Sequence, residues 1–365
     1  MQQKVFFPNL DSLRTIACFS VFASHSMLSS PLKDLWENPH YHRFLSFLFT
    51  GSNGVSFFFV LSGFLITYLI LLEEYQNGKI NLGKFYVRRF LRIWPLFYFV
   101  VFFGFFIYPA LKLMIGMSSN IPNVLPYYIF FLSNFDSIYL AGNNLTHLSP
   151  MMLGITWSVS IEEQFYLFWP ILFIVLPKKY YQLIFFTVIS VSLIFTFYHQ
   201  SDESSILYYH TLAVMADLSL GGLCAYYAIY SKQFIDFFKK LSRKTIITIY
   251  IIGILYFMYR NLIDLPYFFL YSRLLSTCFF AFIIMEQNYA EHSLIKYGQV
   301  KILSKLGKYT YSMYVHATSH WHTDNYYSLP PTSYKLRGFY IDSIFICFYS
   351  TDIFIGIELS KFSFL

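Results

Sequence analysis

Apolar runs of about spanning length, separated by short polar or basic segments, take up most of this chain. An α-helix needs about 20 apolar residues to cross the hydrocarbon core of a bilayer, and most of the runs come near that length. We therefore predict an all-α, polytopic integral membrane protein with about ten transmembrane helices. The runs cover residues 10–30, 54–72, 93–115, 125–140, 157–177, 180–199, 207–230, 245–263, 267–285, 306–319 and 338–358.

The composition fits a membrane protein and excludes an ordinary soluble domain. Hydrophobic residues make up 56% of the 365 residues, charged residues only 12%, and the mean hydropathy is +0.50. A net charge of +7 could signal nucleic acid, but the lysines and arginines lie in short loops beside apolar runs. That placement is typical of loops at a membrane surface. Membrane lipid is therefore an expected partner, and nucleic acid is not.

Three basic loops set the expected orientation. They cover residues 79–92, 232–244 and 296–308. The positive-inside rule places all three in the cytoplasm, and the N-terminus with them. No clear cleavage site for a signal peptidase follows the first apolar run, so we interpret that run as a retained span.

A further pair of lysines, Lys178 and Lys179, conflicts with a simple count of spans. They also resemble a cytoplasmic loop, whereas a full crossing at 125–140 would place them outside. Either 125–140 re-enters or lies in the interface, or this two-lysine loop breaks the rule. We favour the first alternative, because polar backbone is tolerated at membrane depth where it lines a cavity.

The first apolar run carries three polar side chains that bear on function. Arg14 and His25 are 11 residues apart, which is about three helical turns and a rise of about 16 Å, so both lie on one helix face. Asp11 falls near the same stripe. An intramembrane histidine is a candidate general base, although a hydrogen-bonded histidine in a helix bundle is the alternative. Asp11 could instead cap the helix, and Arg14 could anchor it at the headgroups.

A second constellation of charge is FYVRRFLRIWP, which contains Arg88, Arg89 and Arg92. Arg89 and Arg92 are three residues apart and so adjacent on one helix face. Paired guanidinium groups at a cytoplasmic helix entrance suit a phosphate-bearing ligand, because they donate in pairs and keep their charge. Ordinary membrane anchoring explains the same composition equally well.

Two adjacent carboxylates occur in WSVSIEEQFYLFWP, residues 157–170. Ser160 and Glu163 have the spacing of a capping box, which would account for Glu163 by helix structure alone. Glu162 is left without such an explanation.

Small residues and clustered histidines elsewhere are assigned no chemistry. Gly54 and Gly63 are typical of close helix packing. His316, His320 and His322 include a pair four residues apart, but the segment looks irregular and we assign no acidic second shell to it. We therefore expect no metal site.

Several of these stretches together resemble the membrane-bound acyltransferase family 3 of bacterial O-acyltransferases. Arg14 and His25 match the Arg-x10-His motif of that family, and Arg89 and Arg92 match its Arg-x-x-Arg motif. The resemblance implies a bacterial inner-membrane enzyme that moves an acyl group, usually acetyl, from cytoplasmic acyl-CoA to a hydroxyl on a glycan. The matching stretches are LDSLRTIACFSVFASH, GVSFFFVLSGFLIT, FYVRRFLRIWP, WSVSIEEQFYLFWP and LGKYTYSMYVH.

The resemblance also implies roles for the donor side of the reaction. Arg14, Arg89 and Arg92 are expected to bind acetyl-CoA, which serves as the acyl donor and co-substrate. The arginines would hold the CoA phosphates at the cytoplasmic mouth of a cavity. No oxyanion donor can be assigned from the sequence.

On the acceptor side, the resemblance implies that His25 activates the acceptor hydroxyl, and Asp11, near the same stripe of the helix, is counted with it among the catalytic candidates. Glu162 and Glu163 would line the acceptor pocket or orient a partner group. The expected acceptor is a saccharide or a lipid-linked glycan of the cell envelope.

The resemblance covers most of residues 8–316 and fades after His316. We therefore divide the chain into an acyltransferase membrane domain, 1–320, and a divergent tail, 321–365, with a possible last transmembrane helix. Asp342 and Asp352 interrupt the final apolar run. Two alternatives stay open, namely an inactive relative with a damaged C-terminus and a proton-coupled transporter or exporter that uses a buried histidine and carboxylate as a relay.

Overall fold

The computed structural model describes residues 7–28, 50–114, 116, 123–145, 153–200, 204–263, 268–307 and 309–310, and within these ranges it contains helices and no strand. Among the predicted features, three lie outside the described residues, namely the span at 338–358, the histidines at 316, 320 and 322, and the tail at 321–365. Of the predicted span at 306–319, residues 306, 307, 309 and 310 are described. The helices are α1 Pro8–Leu28, α2 Gly51–Asn77, α3 Leu82–Met114 with a π turn over Phe103–Ile107, α4 Leu125–Ile129, α5 Ser133–Gly142, α6 Thr156–Val175, α7 Tyr181–Tyr198, α8 Ser204–Tyr209, α9 Thr211–Tyr230, α10 Lys232–Lys239, α11 Arg243–Tyr259, α12 Phe268–Tyr289 and α13 Lys301–Leu306.

Several of these helices are long and apolar enough to cross a membrane. The part of the chain that the structure describes has five such spans, formed by α2, α3, α6, α7 and the α8–α9 segment. A sixth follows if α10 and α11, which meet at 90°, count as one span. The chain is therefore an all-α, multi-pass membrane protein. The predicted total of about ten spans is not confirmed, although α1 and α12, at 21 and 22 residues, also have spanning length.

The centre of the bundle is the parallel pair α2 and α9, whose backbones touch. A Cβ added at Gly63 would collide with the backbone of Leu218. One turn further along both helices, a Cβ at Gly222 would lie 2.7 Å from Thr67 Oγ1. Since contacts advance in the same direction in both helices, the two run parallel. The interpretation of Gly63 as a packing residue is confirmed, and Gly54 similarly abuts α1.

A buried glutamate joins three helix ends at one end of the bundle. Glu74, near the end of α2, accepts hydrogen bonds from Tyr181 OH at 2.9 Å and Tyr230 OH at 3.4 Å. Lys178 Nζ lies 3.4 Å from the same carboxylate. The connecting segments 78–81, 177–180 and 231–242, the last of which contains α10, therefore lie at one end of the bundle. We name this end the basic face. Phe7 packs against Tyr68 of α2, so α1 begins towards this face too.

The segment at 125–140 does not cross the bundle. It forms two short helices, α4 and α5, of five and ten residues, which are too short for a core about 30 Å thick. Phe131, between them, has a φ of 54°. Its carbonyl accepts from Gln164 Nε2 of α6 at 2.7 Å, and Ser133 Oγ lies 2.8 Å from Ser160 Oγ. The short helices support the favoured interpretation of this segment, and Lys178 lies on the basic face as the charge pattern indicated.

Helix α1 is held along one side by the end of α12 and the segment that follows it. Asn9 Nδ2 donates to the Gln287 carbonyl at 2.7 Å, and Ser12 Oγ donates to the Tyr297 carbonyl at 3.0 Å. One turn later, Thr15 Oγ1 donates to the Leu303 carbonyl at 2.7 Å. These bonds fix the rotation of α1 and leave Arg14 facing α2, α3 and α6.

Candidate functional site

A pocket of about 750 Å³, including the space at its open mouth, lies between α1, α2, α3 and α6. Its wall is apolar along α2, where Val55, Phe58, Phe59 and Ile66 contribute. The polar and charged side chains in the wall come from all four helices. They include Arg14, Ser62, Arg89, Arg92, Glu162 and Tyr166.

The arginines of the Arg-x-x-Arg motif lie within a helix and not at its entrance. Asn81 Oδ1 accepts the Lys84 N–H at 2.9 Å, which caps α3 and starts it at Leu82, 11 residues before the predicted apolar run. Arg89 and Arg92 consequently lie about 10 and 15 Å along the helix. The expected position at a helix entrance is therefore wrong.

Arg89 and Arg92 have no ionic partner in the part of the chain that the structure describes. Arg89 lies over the rings of Phe85 and Tyr166, at 5.8 and 5.6 Å from the ring centroids. Among the residues that the structure describes, neither Arg89 nor Arg92 makes an ion pair or hydrogen bond. Arg88, by contrast, points to Glu73 at 3.8 Å. Arg89 is half-buried and Arg92 is exposed, and both line the pocket, which leaves their N–H donors open to an anionic ligand.

Asp11 and Arg14 form an ion pair at 2.7 Å. Helix α1 begins at Pro8, so Asp11 lies in its first turn and does not cap it. Side-chain exposure is 14% for Asp11 and 15% for Arg14, which places the pair in the protein and not among headgroups. Asp11 therefore orients Arg14 towards the pocket.

The two adjacent glutamates have different surroundings. Glu162 lines the pocket, where Ser62 Oγ donates to its Oε1 at 2.6 Å and Tyr166 OH donates to its Oε2 at 3.0 Å. Glu163 turns away from it and accepts from Trp94 Nε1 at 2.9 Å through Oε2. Its buried Oε1 has no hydrogen-bond partner in the part of the chain described.

The predicted capping box is wrong. Helix α6 begins at Thr156, so Ser160 and Glu163 both lie inside it, beyond the reach of its first orphan N–H groups. The Oγ of Ser160 instead lies 2.8 Å from the Oγ of Ser133 in α5. The partners of Ser160 and Glu163 therefore come from other helices, α5 and α3, and not from the start of α6.

His25 belongs to the last turn of α1, but its side chain lies outside the described residues. Its backbone is about 16 Å along the helix from Arg14, away from the basic face. The preceding residue, Ser24, packs where a Cβ at Gly51 would be, at the start of α2. The pocket wall along α2 runs from Ile66 to Val55, also about 16 Å, in the direction of His25.

Ser62 and Tyr166 are pocket residues that the sequence did not identify. Ser62 precedes Gly63 in a stretch explained by helix packing, and Tyr166 is one of 33 tyrosines. The one usable signal was spacing, because Tyr166 lies four residues after Glu162 and so above it on the same helix face. No spacing pointed to Ser62, since it comes from another helix.

Comparison with known proteins extends these observations. A family model described as "Acyltransferase domain", acyltransferase 3, matches residues 7–318. The O-acetyltransferase OatA of Staphylococcus aureus strain NCTC 8325 is 30% identical over 257 residues, which cover 68% of this chain and 38% of OatA. A protein of strain COL, named as a candidate O-acetyltransferase, is 32% identical over 231 residues, or 60% of this chain and 35% of that protein.

The chain thus covers little more than a third of the length of these relatives. No solved structure matches it significantly. The family model nevertheless covers α1 to α13 and every residue of the pocket. The chain belongs to the acyltransferase 3 family.

Proposed function

We propose that the protein is a membrane O-acyltransferase that moves an acyl group, in the simplest case acetyl, from acyl-CoA to a hydroxyl of an envelope or exported saccharide. The observation that carries this proposal is the pair Arg89 and Arg92, which belong to the spanning helix α3 and line the pocket. Neither guanidinium group has an anionic partner among the described residues. Membership of the acyltransferase 3 family and similarity to O-acetyltransferases support the reaction class.

The charge of the pocket suits the phosphates of CoA. Arginine offers paired N–H donors to phosphate and stays ionised. Arg14 adds a third guanidinium, and Asp11 offsets part of its charge. An anion entering from the basic face would therefore supply the ionic partner that the described residues do not offer to Arg89 and Arg92.

The apolar wall suits the rest of the donor. Beyond the arginines the pocket continues along α2 for about 16 Å towards the end of α1 that carries His25. The pantetheine arm of CoA is long enough to carry a thioester over such a distance while the nucleotide stays at the basic face. CoA then need not cross the membrane.

In the proposed reaction, His25 takes the proton of the acceptor hydroxyl, whose oxygen attacks the thioester carbonyl carbon. The carbon–sulfur bond breaks, and the CoA sulfur leaves with the proton from the imidazolium. The products are an acylated saccharide, or lipid-linked glycan, and free CoA. We place the protein in a bacterial inner membrane with the basic face and the N-terminus in the cytoplasm, following the lysine and arginine bias.

Purified full-length protein in liposomes, supplied with labelled acetyl-CoA and a panel of glycan acceptors, tests the proposal. We expect acetyl transfer that is lost in His25→Ala, while Arg89→Ala mainly raises the KM for acetyl-CoA. Arg243→Ala, which changes an arginine outside the pocket, is the matched control and keeps activity. Folded wild-type protein that neither binds nor consumes acyl-CoA would contradict the proposal in favour of a transporter or an inactive relative.

A further inference from the structure

The carboxylate of Glu162 lies in the same pocket wall as three arginines, although no arginine pairs with it in the described part of the chain. Its two oxygens accept from the neutral hydroxyls of Ser62 and Tyr166, at 2.6 and 3.0 Å. These two bonds hold the carboxylate in one orientation from two helices. A carboxylate held in one orientation in the pocket wall is suited to accept hydrogen bonds from a ligand in the pocket.

A carboxylate is a poor neighbour for phosphate. The donor proposed above carries several negative charges, and like charges within a poorly solvated pocket repel. Glu162 therefore cannot serve the phosphate end of the ligand. It must face a part of the ligand that offers hydrogen-bond donors and carries no negative charge.

Position along the pocket indicates which part that is. The ring of Tyr166 lies beside Arg89, and Glu162 is one helical turn further from the basic face on α6. Beyond it lie Ser158 and the apolar residues Val55 and Phe59. A ligand whose phosphates bind at the arginines thus passes Glu162 with the segment that follows the phosphates.

We infer that Glu162 binds the pantetheine arm of the acyl donor by accepting its amide N–H or hydroxyl hydrogens, with Ser62 and Tyr166 as positioning residues. Each carboxylate oxygen accepts about two hydrogen bonds, so one site on each remains after Ser62 and Tyr166 are counted. The pantetheine arm offers two amide N–H groups and a hydroxyl. This inference rests on the proposed function, and it assigns Glu162 to donor binding and not to the acceptor pocket.

Two ligands separate this role from the alternatives. Acetyl-CoA carries the pantetheine arm, whereas adenosine 3′-phosphate 5′-diphosphate carries all the phosphates of CoA and no arm. Binding of both is measured by competition with labelled acetyl-CoA on purified full-length protein in nanodiscs. The variants are Glu162→Gln, Ser62→Ala and, as a control that alters a buried carboxylate away from the pocket, Glu286→Gln.

We expect Glu162→Gln to weaken acetyl-CoA binding about 10-fold or more, the usual range for a hydrogen bond to a charged group. The same variant leaves binding of the armless nucleotide unchanged or tightens it, because a repulsive charge is gone. Ser62→Ala moves the ratio of the two affinities in the same direction by a smaller factor, and Glu286→Gln leaves the ratio unchanged.

Tighter binding of both ligands to Glu162→Gln would overturn the inference, since Glu162 would then act only as a counter-charge to the arginines. Equal weakening of both ligands, in Glu162→Gln and Ser62→Ala alike, would overturn it as well and indicate a structural role. Failure of wild-type protein to bind acetyl-CoA would instead refute the proposed function itself.

Discussion

Lys178 Nζ lies 3.4 Å from the buried carboxylate of Glu74, which places the start of α7 beside the end of α2. Helix α3 leaves the basic face after α2, and α6 returns to it before Lys178. The described residues between α3 and α6 form two short helices, α4 and α5. This ion pair therefore fixes the sidedness of the first half of the protein.

The ion pair predicts the outcome of topology mapping. Single cysteines at Lys79, Lys179 and Lys240 should react with an impermeant thiol reagent from the same side of the membrane. Asn143→Cys, at the end of α5, should react only from the other side, because α4 and α5 do not cross. Labelling of Lys179→Cys and Asn143→Cys from one side would contradict this topology. A background in which all four native cysteines are changed to serine makes each introduced thiol the single reactive one.

Contact between α2 and α9 predicts a strong effect of adding one methyl group. Gly63→Ala places a Cβ against the Leu218 backbone, which cannot move aside as a side chain could. We expect a loss of about 3 kcal/mol or more in the free energy of unfolding, at the upper end of overpacking effects. Thermal unfolding in detergent measures the loss. Gly83→Ala, whose Cβ would come no closer than 3.6 Å to Asn81, is the control and should be nearly neutral.

The buried pair Arg273 and Asp217 predicts non-additive stability. Arg273 Nη2 lies 3.1 Å from Asp217 Oδ2, and Thr277 donates to the other carboxylate oxygen. Arg273→Met should cost about 3–5 kcal/mol because the carboxylate then stays buried without its cation. Adding Asp217→Asn to Arg273→Met should restore part of that loss. A double variant as unstable as the sum of the two singles would show that the pair has no coupling.

The ion pair between Asp11 and Arg14 predicts a kinetic effect that exceeds its effect on stability. Asp11→Asn keeps the shape of the side chain but releases Arg14 from its 2.7 Å contact. We expect the KM for acetyl-CoA to rise several-fold while the unfolding midpoint falls less than it does in Arg273→Met, because Arg14 lines an open pocket that water can enter. A fall in stability with an unchanged KM would assign the pair to the fold alone.

Periodicity and charge predicted much of this arrangement. The spacing of Arg14 and His25 predicted that both lie on one face of α1, and the lysine pair at 178 and 179 favoured a segment 125–140 that does not cross. The first prediction follows from the number of residues per helical turn. The second follows from the number of basic residues on each side of the membrane. The helix-packing role of Gly63 could be predicted because only close approach explains a glycine within an apolar helix.

Local motifs failed where residues distant in sequence decide the outcome. Ser160 and Glu163 have capping-box spacing, yet the helix starts earlier and Ser133 and Trp94 provide their partners. Arg89 was expected at a helix entrance, but Asn81 starts α3 earlier. Ser62 was missed because its role depends on Glu162, 100 residues away. Contacts between helices cannot be derived from the spacing within either of them.

Arg89 and Arg92 of α3, which have no ionic partner among the described residues, are proposed to bind the acyl donor. Equilibrium binding of labelled acetyl-CoA to full-length protein in nanodiscs tests this proposal directly, with Arg89→Ala and Arg92→Ala beside the charge-matched controls Lys79→Ala and Arg243→Ala. We predict that each pocket variant weakens binding about 10- to 100-fold, the range for a charge-assisted hydrogen bond, and that the controls change it less than twofold. Equal affinities in all five proteins would contradict the account, because the pocket would then not be the donor site.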